Sequence, residues 1–124
     1  MPKCVLIVDD EEDIRSITKL GLEMATDWTI LTACSGQEAL EIATMQKPDT
    51  ILLDMMMPEM DGRATLRCLK AAAATQEIPV IMVTAKAQPA NLSSFEDLEV
   101  AAVLAKPFRP LKLAQEITAI LGWV

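Results

Sequence analysis

Asp9, Asp10 and Glu11 follow the apolar run Cys4–Val8, and Asp54 follows Thr50–Leu53. Thr84 follows Val80–Val83, and Lys106 follows Ala101–Ala105. If the runs are parallel strands of one sheet, these groups gather on one rim, at the strands' carboxyl ends. Two carboxylates about 4 Å apart repel by roughly 4 kcal/mol at an effective dielectric of 20. Three cannot all stay ionised without a countercharge or raised pKa values. A divalent cation relieves that repulsion. The available donors are oxygens, with neither imidazole nor thiolate among them, which selects Mg²⁺ over zinc. One carboxylate can then act as a nucleophile and form an aspartyl phosphate. Lys106 and Mg²⁺ would neutralise the phosphoryl oxygens, and Thr84 would donate a hydrogen bond to them.

Each residue also has a plainer reading. The acids at 9–13 suit the positive end of a helix. Asp54 can cap a turn, Thr84 can be an ordinary strand-end hydroxyl, and Lys106 can be a solvated surface charge. Met55-Met56-Met57 can be turn packing. What the plain readings do not explain is why Asp, Asp, Thr and Lys fall together on one rim.

The chain's 124 residues fit one domain over 1–124, and a hydrophobic share of 52% is ample for a core. The net charge of −7, from 18 acids and 11 bases, argues against direct contact with nucleic acid, which needs a basic face. With no histidine, the chain can hold no catalytic triad and cannot itself be a phosphohistidine donor. Cys4, Cys34 and Cys68 form no CxxC and have no histidine to join, so a zinc site is not expected. They read as reduced thiols of a cytoplasmic protein. No apolar stretch approaches the ~20 residues of a spanning helix, no signal peptide is legible, and no membrane partner is expected.

The positioning elements follow from the pattern. The short apolar runs at Cys4–Val8, Thr29–Ala33, Thr50–Leu53, Val80–Val83 and Ala101–Ala105 lack alternation, as strands buried on both faces do. Between them, Ile14, Ile17, Gly21 and Met24 share one helical face. Ser35-Gly36-Gln37-Glu38 is a capping box. Leu66, Leu69 and the run Ala71–Ala74 predict a third helix, and Leu92, Phe95 and Leu98 a short fourth. Leu113, Ile117, Ile120 and Leu121 predict a fifth, opened by Pro110. Strand and helix alternate, so the fold class is α/β: a doubly wound, five-stranded parallel sheet with right-handed crossovers. Trp28 and Trp123 fall at the rim opposite Asp54.

Val8-Asp9-Asp10-Glu11, the segment from Leu53-Asp54 to Asp61-Gly62, Val83-Thr84-Ala85 and Lys106-Pro107-Phe108 stand in order, each at the end of a predicted strand. In this the chain resembles the receiver domain of bacterial two-component response regulators, of the single-domain type, over essentially its whole length. The resemblance implies a flavodoxin-like (βα)5 fold with strand order 2-1-3-4-5. It implies that Asp54 is the phosphoacceptor, that Asp10 binds Mg²⁺ directly and Asp9 through water, and that the backbone carbonyl of Met56 is a further ligand. Thr84 and Lys106 would contact the phosphoryl group. The implied partners are a sensor histidine kinase or histidine phosphotransfer protein and a downstream protein target, and a phosphorylation-linked dimer is allowed. The chain would catalyse only its own phosphorylation and dephosphorylation, as a switch.

Two features depart from the family pattern. Val103 stands where a switch aromatic is usual, and Leu98-Glu99-Val100 replaces an Ala-Gly-Ala-like turn. They keep open a phosphorylation-independent interaction module on the same fold. An Mg²⁺-dependent aspartyl-phosphate hydrolase fits less well, because such enzymes need an Asp two residues after the nucleophile, where Met56 stands.

Overall fold

The computed structural model describes residues 3–55, 62–84, 100–105 and 109–123. The predicted helix around Leu92–Leu98, together with Met56 and Lys106, lies outside the described residues. In chain order the elements are β1 (Cys4–Val8), α1 (Glu12–Ala25), β2 (Thr29–Ala33), α2 (Gly36–Gln46), β3 (Thr50–Asp54), α3 (Gly62–Ala71), β4 (Val80–Thr84), β5 (Ala102–Ala105) and α4 (Pro110–Leu121). The five strands form one parallel sheet in the order β2-β1-β3-β4-β5, the order expected from the resemblance.

Side chains alternate across a strand, and this splits the apolar runs between two cores. Leu6, Val8, Ile51, Leu53, Val80 and Met82 pack with Ala39 and Ala43 of α2 and Leu66 and Leu69 of α3. Val5, Ile7, Leu52, Ile81 and Val83 pack with Leu22 of α1 and Leu113, Ala114 and Ile117 of α4. The central strands are therefore apolar except at Thr50, Asp54 and Thr84 on their ends, and the sheet is covered on both faces.

The expected helical spacing of α1 is present, and the extent of the third helix needs correction. On α1 the buried residues are Thr18, Gly21 and Leu22, while Ile17 and Met24 are 57% and 69% exposed. Gly21 of the shared face is thus buried with Thr18 and Leu22, and Ile17 and Met24 look outward. The third helix stops at Ala71, short of the alanine run's end. The Thr75 hydroxyl donates to the Leu69 carbonyl at 2.6 Å, and Lys70 Nζ reaches the carbonyls of Gln76 and Ile78 at 3.2 Å. Those bonds give the chain an alternative to further helical turns.

The cap of the predicted box forms, with Ser35 Oγ accepting from the Glu38 N–H at 3.1 Å, and Glu38 Oε1 reaches one residue further back to accept from the Cys34 N–H at 2.9 Å. At the other end of α2, Lys47 adopts a left-handed φ of 47°. A side chain there is strained where glycine is not. Lys47→Gly is thus expected to stabilise the fold by about 0.5–1 kcal/mol. A higher urea midpoint at an unchanged m-value would show it.

The three cysteines are free thiols. Cys4 begins β1 opposite Thr29, whereas Cys34 follows Ala33, which is opposite Val8. A bridge between them is therefore out of reach. Cys4 is half-buried rather than fully buried; its thiol pKa is raised, chiefly by burial and further by the Asp49 carboxylate.

Candidate functional site

The parallel register brings the ends of β1, β3 and β4 side by side, with Val8 opposite Leu53 and Asp54 opposite Val83. Asp54 is the last residue of β3 and Thr84 the last of β4; both are buried, at 3% and 1% exposure. Asp9 and Asp10 follow β1 directly. One carboxylate oxygen each from Asp9, Asp10 and Asp54 can be chosen so that all lie within 4.8 Å of one another. The structure thus brings together the three acids singled out from the sequence and sets Thr84 on the same rim. Met56 and Lys106, the other two site residues, lie outside the described residues. Thr84 pairs with Ala105, the residue before Lys106.

The acids differ in setting. Asp9 is 4% exposed and tightly held. Its N–H donates to the Ala33 carbonyl at 3.1 Å, and its Oδ1 accepts from the Glu11 N–H at 2.9 Å, at the start of α1. That bond is an Asx turn leading into α1, whose N-cap residue Glu11 makes no side-chain capping bond, so the same carboxylate shapes the turn before the helix and faces the cluster. Asp10 is exposed. A cluster with two buried acids and one at the surface leaves room for water on one side. All-oxygen donors with open water positions suit Mg²⁺ better than zinc or copper, so the residues present fit the cation.

Two residues to which the sequence reading assigned no role, Arg15 and the motif-ending Gly62, also shape the site. Arg15, in the first turns of α1, donates from Nη1 to the Asp9 carbonyl at 2.8 Å. The signal was an isolated base behind Glu11-Glu12-Asp13, but its spacing alone does not show which carbonyl it reaches. Gly62, the first residue of α3, is buried against the end of β3, and its N–H donates to the Met55 carbonyl at 3.1 Å. A Cβ at Gly62 would sit 2.7 Å from both the Asp54 carbonyl oxygen and Met55 Cα. Only glycine lets α3 start this close to Asp54.

Val103, at the position usual for a switch aromatic, is half-buried and packs against the α2–α3 core. Trp28 and Trp123 lie at the opposite rim, before Thr29 of β2 and after α4; their rings meet edge to face with centroids 5.2 Å apart. Lys3 Nζ sits 5.1 Å above the Trp123 ring. Among the described residues, no helix is long and apolar enough to cross a membrane.

Residues 5–118 match the family described as "Response regulator receiver domain". The chain is 41% identical over 121 residues to the phosphate regulon transcriptional regulatory protein PhoB of Pseudomonas aeruginosa, a match that covers 96% of this chain and 52% of that protein. It is 35% identical over 121 residues to the alkaline phosphatase synthesis transcriptional regulatory protein PhoP of Bacillus subtilis, covering 98% of this chain and 49% of that one. The chain thus spans about half the length of these curated relatives. Among solved structures, the chemotaxis response regulator CheY4 of Vibrio cholerae matches with a TM-score of 0.87 at 28% identity, over 97% of this chain and 99% of that one. The N-terminal domain of a response regulator receiver protein from Methanoculleus marisnigri matches with a TM-score of 0.76 at 35% identity, over 96% of each chain. With a family pattern running through nearly all of its length, on a sheet of the order that pattern implies, this chain belongs to the receiver domains of two-component response regulators.

Proposed function

We propose that residues 1–124 act as one receiver unit, a phosphorylation-dependent switch whose phosphoacceptor is Asp54. The observation that carries this reading is the convergence of Asp9, Asp10 and Asp54 on one rim, beside a buried threonine that ends the adjacent strand. Asp10 binds Mg²⁺ directly and Asp9 through water, with Asp54 and the Met56 backbone carbonyl completing the protein's ligands. When bound, the cation offsets the charge of the three carboxylates and of the incoming phosphoryl group.

The donor is a phosphohistidine on a sensor histidine kinase or a phosphotransfer protein. A carboxylate oxygen of Asp54 attacks phosphorus, and the O–P bond forms as the donor's N–P bond breaks. The imidazole nitrogen leaves with the electron pair and is then protonated. Thr84 donates its hydroxyl to a phosphoryl oxygen, and Lys106 supplies a fixed positive charge. The chain catalyses only its own phosphorylation and dephosphorylation, in the cytoplasm. Its output runs through contact with a downstream protein or onward phosphotransfer, and dimerisation on phosphorylation is one form such contact can take.

Incubation with a small-molecule phosphodonor and Mg²⁺, followed by intact mass, tests the proposal. One added phosphoryl group that persists supports the switch. No addition favours an interaction module that works without phosphate, and donor turnover without accumulation favours a hydrolase.

A further inference from the structure

Arg15 stands in the first turn of α1, after the five consecutive acids Asp9–Asp13 and Ile14. Its backbone N–H donates to the Glu11 carbonyl at 3.0 Å. Its side chain turns back six residues, and Nη1 donates to the carbonyl of Asp9 at 2.8 Å. That carbonyl belongs to the peptide that joins Asp9 to Asp10. A peptide unit is planar, so holding its carbonyl sets the direction in which the chain enters Asp10. The other polar groups of Asp9 are tied elsewhere: the N–H to Ala33 and Oδ1 to the Glu11 N–H. Asp10 is exposed, so packing does little to aim it. The orientation of its backbone must do so.

We propose that Arg15 is a positioning residue for the acid site: by holding the Asp9–Asp10 peptide it aims the Asp10 carboxylate at the point where Asp9 and Asp54 converge, and so sets the affinity for Mg²⁺. This rests on the reading of those acids as an Mg²⁺ site. Two effects of Arg15 oppose each other. Its positive charge disfavours a bound cation, and its hydrogen bond favours the geometry the cation needs. The side chain is half-buried, and solvent and salt screen a charge in that setting. The loss of an outer hydrogen bond around a metal site typically weakens binding about 10–100-fold. Geometry therefore outweighs charge. Mg²⁺ demands near-ideal octahedral geometry, whereas Ca²⁺ accepts irregular sites. A loss of aim should thus fall harder on Mg²⁺ than on Ca²⁺, while a change of charge alone would move both alike.

Titration calorimetry with Mg²⁺ and with Ca²⁺ on wild type, Arg15→Met and Arg15→Lys tests this, with thermal unfolding in EDTA as the check on folding. Arg15→Met should weaken Mg²⁺ binding by about tenfold and Ca²⁺ binding by clearly less. Arg15→Lys keeps the charge and one donor and should recover most of the loss. If Arg15→Met does not unfold cooperatively, Arg15→Gln replaces it with the same expectation. Mg²⁺ binding as tight as wild type or tighter overturns the proposal. So does an equal loss for both cations that lysine fails to rescue, since that is a purely structural role. Failure of the wild-type protein to bind Mg²⁺ at all would bring down the metal-site reading itself, and the role of Arg15 with it.

Discussion

Asp54→Asn is expected to abolish phosphorylation while the protein still folds. An amide is a poor nucleophile at neutral pH, so the attacking oxygen is lost although the side chain's shape is kept. No neighbouring carboxylate should substitute. Asp9 is buried and already accepts the Glu11 N–H, while Asp10 is exposed. The substitution also removes one of three negative charges that meet within 4.8 Å. At an effective dielectric of 20, a pair at such spacing repels by roughly 3–4 kcal/mol before solvent discounts the exposed member. The melting temperature in EDTA should therefore stay at or above that of wild type. Intact mass after treatment with the phosphodonor and Mg²⁺ decides the matter. A variant that gains its phosphate at the wild-type rate removes Asp54 from the mechanism.

Gly62→Ala should destabilise the protein, against the usual sign of that exchange. Within a helix, alanine is favoured over glycine by about 1 kcal/mol. Here the new methyl would meet backbone, the Asp54 carbonyl oxygen and Met55 Cα at 2.7 Å, as well as Met82 Cε at 3.0 Å. The methionine tip can move, but the backbone of β3 can give way only by displacing Asp54 or the start of α3. Overpacking of this kind costs about 1–3 kcal/mol, and contacts with backbone belong at the upper end. A net loss of about 2 kcal/mol corresponds to a melting temperature lower by roughly 5–10 °C for a chain of this size. Because the displaced atoms include the acceptor's own peptide, phosphorylation should slow as well. A variant as stable as wild type would mean that the β3–α3 junction is looser than its geometry implies.

The parts of this molecule that were legible in its sequence are those set by composition over several residues. Runs such as Val80–Val83, too short for a helix, suit strands buried on both faces, and Ser35 with Glu38 is a helix-start signal. Strand order was different: nothing in the apolar runs distinguishes one arrangement of five parallel strands from another, and 2-1-3-4-5 came with the family resemblance. On α1 the spacing of Ile14, Ile17, Gly21 and Met24 showed a helix but not which way it turns: Thr18, Gly21 and Leu22 pack inward, while Ile17 and Met24 are exposed. The end of α3 was misread because alanine favours helix, while the groups that stop it, Thr75 and Lys70, act through side-chain bonds to carbonyls that no periodicity encodes. At the site, Asp9, Asp10, Asp54 and Thr84 were legible because each ends or directly follows a strand. Arg15 was not, since its partner is a backbone carbonyl set by the fold, and Gly62 showed its necessity only once α3 lay against β3.

The edge-to-face tryptophan pair has a practical consequence. Trp28 and Trp123 sit at the amino ends of the strands, about five strand residues or ~15 Å from the acids. They are the chain's only tryptophans, and it contains no tyrosine to compete with them. Their emission is therefore an intrinsic optical probe of global unfolding, placed away from the rim where ions and phosphate would act. Denaturation curves recorded through it can be compared across Mg²⁺ concentrations with little change in their native baseline. A ligand that binds only the folded state stabilises it by RT ln(1 + [L]/Kd). The shift in midpoint then yields the dissociation constant of a site that the probe itself never touches.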